Sequence, residues 1–255
     1  MYREERIVKI LEHLERNGNV AVKDLQDKFQ VSDMTIRRDL KILEQRGKIE
    51  RIYGGAIPSK KSRIRIEPPI IERMGSMADE KKRIAELVAA RIEENETIFL
   101  GSGTTTQYLA RELIIRDDIT VVTNSVPILY ELSNNSNMDL ITVGGFLRRS
   151  ELSLIGVFAE AVLRDIRVSK AIIGMRGIHP VYGFTCEHPQ ELLTDRRILK
   201  ISDNVIVVAD HTKIGQVATN KVAPITSAKT IVTSKRADAD MVDEIKNLGI
   251  DVWTV

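Results

Sequence analysis

Apolar positions in the first sixty residues recur with helical spacing in three short blocks. Ile7, Ile10, Leu11 and Leu14 mark one face of a helix expected over residues 3–16, which Asn17-Gly18 would end by a left-handed turn. Val22, Leu25 and Phe29 mark a second helix over residues 22–29, and Gln30 and Val31 leave only a very short turn after it. Ile36, Leu40 and Leu43 mark a third, opened by Ser32 as N-cap with Asp33 at the positive end of the helix dipole. Roughly 160–200° from its apolar stripe lie Met34, Arg38, Lys41 and Gln45, with Thr35 and Arg37 on the flanks. Gly47 would stop this helix; residues 48–53 then alternate as a strand does, and Gly54-Gly55-Ala56 would end it.

From Met77 the pattern changes. Residues 79–93 predict an amphipathic helix with Ile84, Leu87, Val88 and Ile92 inward. Seven short apolar runs follow, at 97–100, 119–123, 139–143, 171–174, 205–209, 230–233 and 251–255. Helical sequence falls between them near 106–113, 126–133, 158–165, 190–202 and 239–248. Alternating buried-looking strands and helices predict a mainly parallel α/β sheet with helices on both faces. The expected division is therefore residues 1–57, a connection over 58–76 containing Pro58 and Pro68-Pro69, and residues 77–255.

Charge sharpens this division. Residues 1–60 hold 13 Lys and Arg against 10 Asp and Glu, a net +3 that Lys61, Arg63 and Arg65 raise to +6, although the whole chain is only +2. A basic N-terminal part joined to a slightly acidic remainder suits a nucleic-acid reader with a separate sensor; a basic tail that only aids solubility is the plainer alternative. With no apolar run near the ~20 residues of a membrane span and no secretory signal, a cytoplasmic protein is expected. The single Cys186 excludes an intramolecular disulfide, and Cys186-Glu187-His188 lacks the spacing of a structural zinc site, so neither metal nor cofactor is expected.

Two helices joined by so tight a turn, the second cationic in front, describe a helix-turn-helix followed by a wing-like basic strand. Ser32, Met34, Thr35, Arg37, Arg38, Lys41 and Gln45, with Arg51 from the wing, form the expected DNA-reading set. An ordinary amphipathic surface helix is the alternative for the third helix taken alone. In the α/β part, ligands sit beyond the carboxyl ends of the strands. Gly101-Ser102-Gly103-Thr104-Thr105-Thr106 offers a curling backbone, hydroxyls and a helix N-terminus suited to phosphate, though it also reads as a tight turn. Thr123-Asn124, Gly144-Gly145 with Arg148-Arg149, Gly174 with Arg176, and Asp210 with Lys213 gather on the same edge and suit a phosphorylated polyol.

The run Val31-Ser32-Asp33-Met34-Thr35-Ile36-Arg37-Arg38-Asp39-Leu40, followed by Tyr53-Gly54-Gly55-Ala56, closely resembles the N-terminal signature of DeoR-type (DeoR/GlpR) bacterial transcription regulators. The resemblance extends over nearly the whole chain. It implies a winged helix-turn-helix and a sensor domain similar in fold to ribose-phosphate isomerases and glucosamine-phosphate deaminases. It also implies phosphate binding at Ser102, Gly103, Thr104, Thr105 and Thr106, contacts around Thr123, Asn124, Gly144 and Gly145, and polar contacts near Glu191, Asp210 and Lys213. The family usually carries Asp where Gly101 and Ser169 stand here. With both acids missing and Arg148, Arg149 and Arg176 nearby, an effector more anionic than a simple sugar monophosphate is expected.

The leading expectation is a repressor of a carbohydrate operon, a homodimer or homotetramer that binds a double-stranded operator and responds to a phosphorylated sugar. The rival is a sugar-phosphate isomerase or deaminase-like enzyme with a DNA-binding module. Glu191 and Asp210 are available carboxylates for it, but no catalytic motif of such enzymes is evident.

Overall fold

The structure, a computed structural model, describes residues 3–17, 19–45, 48–58 and 68–255. Gly18 and Gly47, expected to end two helices, and the basic run from Lys60 to Arg65 lie outside the described residues. The chain forms two compact units that divide between Glu67 and Pro68.

In the first unit, α1 (Arg3–Asn17), α2 (Val22–Phe29) and α3 (Asp33–Gln45) enclose a core of Ile7, Ile10, Leu14, Leu25, Ile36, Leu40 and Leu43. Gln30 adopts the left-handed conformation at the end of α2, which makes the turn into α3 short. A three-stranded antiparallel sheet closes the core: β1 (Val20–Ala21), β2 (Ile49–Ile52) and β3 (Gly55–Pro58), in the order β1-β3-β2. Gly55 and Ala56, expected to end the wing, instead belong to its second strand. Ala56 pairs with both Val20 and Arg51, and its side chain is buried. Any Cβ at Gly55 would collide with the Val20 carbonyl, so only glycine lets β1 join the sheet.

The second unit begins earlier than the pattern suggested. The expected connection extended to residue 76, yet a helical turn, α4 (Ile70–Arg73), already packs with Ile70 buried. Then follow α5 (Ala78–Ala89), β4 (Thr97–Leu100), α6 (Thr104–Leu113), β5 (Thr120–Thr123), α7 (Val126–Leu132) and β6 (Asp139–Thr142). A hairpin, β7 (Phe146–Arg148) and β8 (Ser153–Ile155), leads into α8 (Val157–Arg164) and β9 (Lys170–Ile173). The remainder is β10 (Gly177–His179), β11 (Gly183–Cys186), α9 (Pro189–Ile198), β12 (Val205–Val208), β13 (Asn220–Ala223), β14 (Thr230–Thr233), α10 (Ala239–Asn247) and β15 (Asp251–Thr254).

The seven expected strands form one parallel sheet in the order β15-β14-β12-β9-β4-β5-β6. Successive residues alternate between its faces as strand geometry requires. Ile98, Leu100, Val121 and Ile206 share a core with Ile84, Leu109 and Ile128 of α5, α6 and α7. Phe99, Val122 and Val207 share the other with Leu163, Ile198 and Ile245 of α8, α9 and α10. The hairpin β7–β8 and a small antiparallel sheet, β10-β11-β13, were not expected. Cys186 is the buried last residue of β11.

Chain order runs outward in one direction from β4 and in the other from β9. The neighbours β4 and β9 therefore form the topological switch point, where an open parallel sheet leaves a crevice beyond its carboxyl edge.

Candidate functional site

In the first unit, the polar front of α3 is open to solvent: Met34, Arg37, Arg38, Lys41 and Gln45 are all exposed. Ser32 Oγ accepts from the Thr35 backbone N–H at 3.3 Å and lies 2.9 Å from Thr35 Oγ1, which fixes the first turn of the helix. Arg37 forms an ion pair with Asp33 one turn back. On the wing, Arg51 is exposed and Tyr53 wholly so, at the β2–β3 turn. Tyr53 was not among the expected reading residues, although the motif containing it was visible. Behind the front, Arg6 Nε donates to Asp39 Oδ2 at 2.6 Å in the interior, joining α1 to the middle of α3. Nothing in the hydrophobic pattern announced that pair.

In the second unit, the expected ligand residues other than Glu191, which lies on α9, fall at or after the carboxyl ends of β4, β5, β6, β9 and β12. Asn124 knits two of these loops. Its Oδ1 accepts from the Ser102 N–H at 3.1 Å, and its Nδ2 donates to the Leu154 carbonyl at 3.3 Å. Two expected hydroxyls are committed internally: Thr106 Oγ1 donates to Gly103 O at 2.9 Å and Thr123 Oγ1 to Leu100 O at 2.7 Å. Thr104 and Thr105 are buried in the first turn of α6, whose amides open beside Gly103. Gly144 and Gly145 have φ of 65° and 122°, and a Cβ at Gly145 would stand 2.7 Å from Ile155 O. The backbone here thus presses against β8.

Arg148 on β7 is nine-tenths buried, with Nη1 2.6 Å from Glu191 Oε2 on α9. That contact is an ion pair by distance without hydrogen-bond geometry, and Arg148 Nε has no acceptor among the described residues. One turn further along α9, burial first and then the Glu191 charge push the Asp195 carboxyl well above its ordinary range. Cys186 Sγ and the carboxylates of Glu191 and Asp195 lie within 4.8 Å of one another. Arg148 stands beside the Glu191 carboxylate of this trio, and burial pushes the Cys186 thiol up to about 12.

Asp210 Oδ1 accepts from the Thr212 N–H at 3.1 Å and caps the turn His211–Lys213. That turn is held from below. The buried Glu80 of α5 lies 2.9 Å from His211 Nδ1 and accepts from Arg236 Nη1 at 2.7 Å. Burial by itself would raise the Glu80 carboxyl; the hydrogen bonds and charges of His211 and Arg236 together hold it below the usual range. The preceding segment is fastened to the hairpin turn: Ile70 N donates to Ser150 O at 2.8 Å, and Arg73 pairs with Glu151. Lys81 Nζ donates to Arg73 O at 2.9 Å, so residues 68–81 connect the hairpin with the turn at His211.

The positive charge expected at this edge is partly balanced. Ser169 precedes β9 and binds Thr97 O at 2.8 Å, at the amino edge of the sheet and away from the ligand edge. Gly101 faces the Ile173 side chain, whose Cγ2 would lie 2.9 Å from a new Cβ. Arg148 and Arg176 each face a carboxylate, Glu191 and Glu187 respectively.

A winged helix-turn-helix unit followed by a parallel α/β unit with polar loops at its switch point is the architecture of a ligand-responsive DNA-binding regulator. Residues 6–62 match the DeoR-like helix-turn-helix domain and residues 76–235 the DeoR C terminal sensor domain. The chain belongs to the DeoR family of helix-turn-helix transcriptional regulators. It is 30% identical to the HTH-type transcriptional repressor GlcR of Bacillus subtilis (strain 168), over 99% of this chain and 96% of the relative. It is 31% identical to the HTH-type transcriptional regulator IolR of the same organism, over 91% and 92%. It is 32% identical to the transcriptional repressor AccR of Agrobacterium fabrum (strain C58 / ATCC 33970), over 90% and 89%. Among solved structures it is similar to ribose 5-phosphate isomerase A of Methanocaldococcus jannaschii, with 19% identity, a TM-score of 0.39, and coverage of 54% and 55%. Among the described residues no helix is long and apolar enough to cross a membrane.

Proposed function

We propose that this protein represses an operon for carbohydrate use and leaves its operator when a phosphorylated sugar binds the carboxyl edge of the second unit. The observation that carries the effector site is the switch-point loop. Asn124 holds the Ser102 amide while the amides of α6 open beside Gly103. A phosphate there meets free N–H groups and the positive end of the helix. Arg148, with a buried Nε lacking an acceptor among the described residues, supplies a donor for the polyol. The repressor names of GlcR and AccR support the direction of control.

DNA is read by Met34, Thr35, Arg38, Lys41 and Gln45 on α3, with Arg51 and Tyr53 from the wing. One such helix spans few base pairs, so two copies bind half-sites about one helical turn, ~34 Å, or a multiple apart. Residues 68–81 follow the DNA-binding unit in sequence and are fastened to both the hairpin and the His211 turn. They form the route by which ligand contacts favour one regulatory state over another.

The test uses operator fragments selected from genomic DNA and anisotropy titration with a panel of sugar phosphates. One phosphorylated sugar should release the DNA, and its unphosphorylated counterpart should not. Arg38→Ala and Lys41→Ala should weaken binding at unchanged fold, and loss of a phosphate contact should lower the log–log salt slope by about one. Wild-type affinity in both variants would reassign the reading face, and failure of every sugar phosphate would remove the effector class.

A further inference from the structure

Helix α8 is apolar on both faces. Ala159 and Leu163 are buried in the same core as Val122 and Val143 of the sheet. On the other side Val157, Phe158 and Val162 are 67, 63 and 39% exposed, with Ala161 exposed between them. At 100° per residue these four share an arc of roughly 140° opposite the buried pair. Its two charged residues, Glu160 and Arg164, lie along one boundary between these faces, so the arc toward solvent is itself uncharged, as on a helix whose second face is also covered.

The hairpin enlarges the patch. Phe146 of β7 is 61% exposed, with its ring centroid 5.6 Å from that of Phe158. Together these side chains expose on the order of 500 Å² of apolar surface, the size of the largest and often functional patch on a typical monomer.

We infer that this face is the two-fold interface between two copies of the chain; the inference rests on the operator-binding dimer proposed above. DNA phosphates and a small polar effector find no complement in uncharged Val, Phe and Ala side chains. A copy related by a two-fold axis does, because α8 then meets α8 and each apolar residue faces the same patch. With a polar rim, a patch of this size approaches the ~800 Å² per partner that a stable dimer needs. Strand β7 also carries Arg148 into the candidate effector site, two residues after Phe146. The strand that senses the ligand thus also sets the contact between copies, which links effector binding to the spacing of the two reading helices.

The test is sedimentation of the full chain and of Phe158→Glu and Val162→Glu, with circular dichroism to follow folding. The wild type should be at least dimeric. The variants should retain their spectra and dissociate with a dimer constant raised 100-fold or more. A separate variant, Ala161→Cys, should form disulfide-linked dimers under mild oxidation, because the residue lies near the two-fold axis. A dimeric wild type with undisturbed Glu variants and no cross-link would overturn this interface while leaving the operator-binding dimer intact. A wild type monomeric at tens of micromolar that binds a single half-site would overturn both.

Discussion

Arg6 of α1 and Asp39 of α3 form an ion pair at 2.6 Å in the interior of the DNA-binding unit, with side chains only 7% and 1% exposed. The carboxylate sits on the inner side of the helix whose outer side carries Arg38 and Lys41, so the pair fixes how α3 stands on α1. Removing one partner leaves a buried charge uncompensated. Asp39→Ala should cost the first unit about 3–5 kcal/mol, while an apolar replacement of both residues should recover most of the loss. Thermal melts of the two variants decide this. Equal destabilisation by the single and double changes would mean that the pair is not the source of the cost.

Gly101 and Ile173 share one space. Gly101→Ala should destabilise the second unit by about 1–3 kcal/mol through overpacking. In an Ile173→Ala background the Gly101→Ala increment should shrink or change sign, because the new methyl occupies vacated volume. Urea denaturation of the double-mutant cycle measures the coupling, and strict additivity would show that Ile173 is not what excludes a side chain at residue 101.

Glu80 makes part of the stability pH-dependent. Its folded-state carboxyl titrates below its ordinary value of 4.5, so its contribution is present above that pH and lost as pH falls through the folded value. Glu80→Gln should cost about 2 kcal/mol at neutral pH, the scale of a charge-assisted hydrogen bond, and flatten the fall in stability below pH 4.5. Parallel acid titrations with the wild type at intermediate urea would contradict this.

Cys186 should be inert in the native chain. Burial, then the charges of Asp195 and Glu191, push its thiol up to about 12 from 9.0. Iodoacetamide at pH 8 should therefore label it two to three orders of magnitude more slowly, by roughly the loss of thiolate, than in denaturant. Rapid labelling of the folded protein would place the thiol nearer the surface.

Local chemistry determined the periodic elements of this protein. The spacing of Ile36, Leu40 and Leu43 defined both the buried and the free face of α3, and the seven apolar runs became the seven strands of one sheet. Such features depend on side-chain period and capping, which are set within a few residues. The edge of the sheet where the candidate ligand loops gather was legible for the same reason, because parallel strands joined by helices place every following loop on one side. Tertiary structure alone decided contacts between residues far apart in the chain. It paired Arg6 with Asp39 and Arg148 with Glu191, spent the hydroxyls of Thr106 and Thr123 on backbone, and set Ser169 at the opposite edge from Gly101. Short antiparallel elements also escaped the pattern: β1 has two residues and β7 three, too few for alternation to show. Their place is set by a partner strand and by glycines such as Gly55 and Gly145 that let two backbones touch.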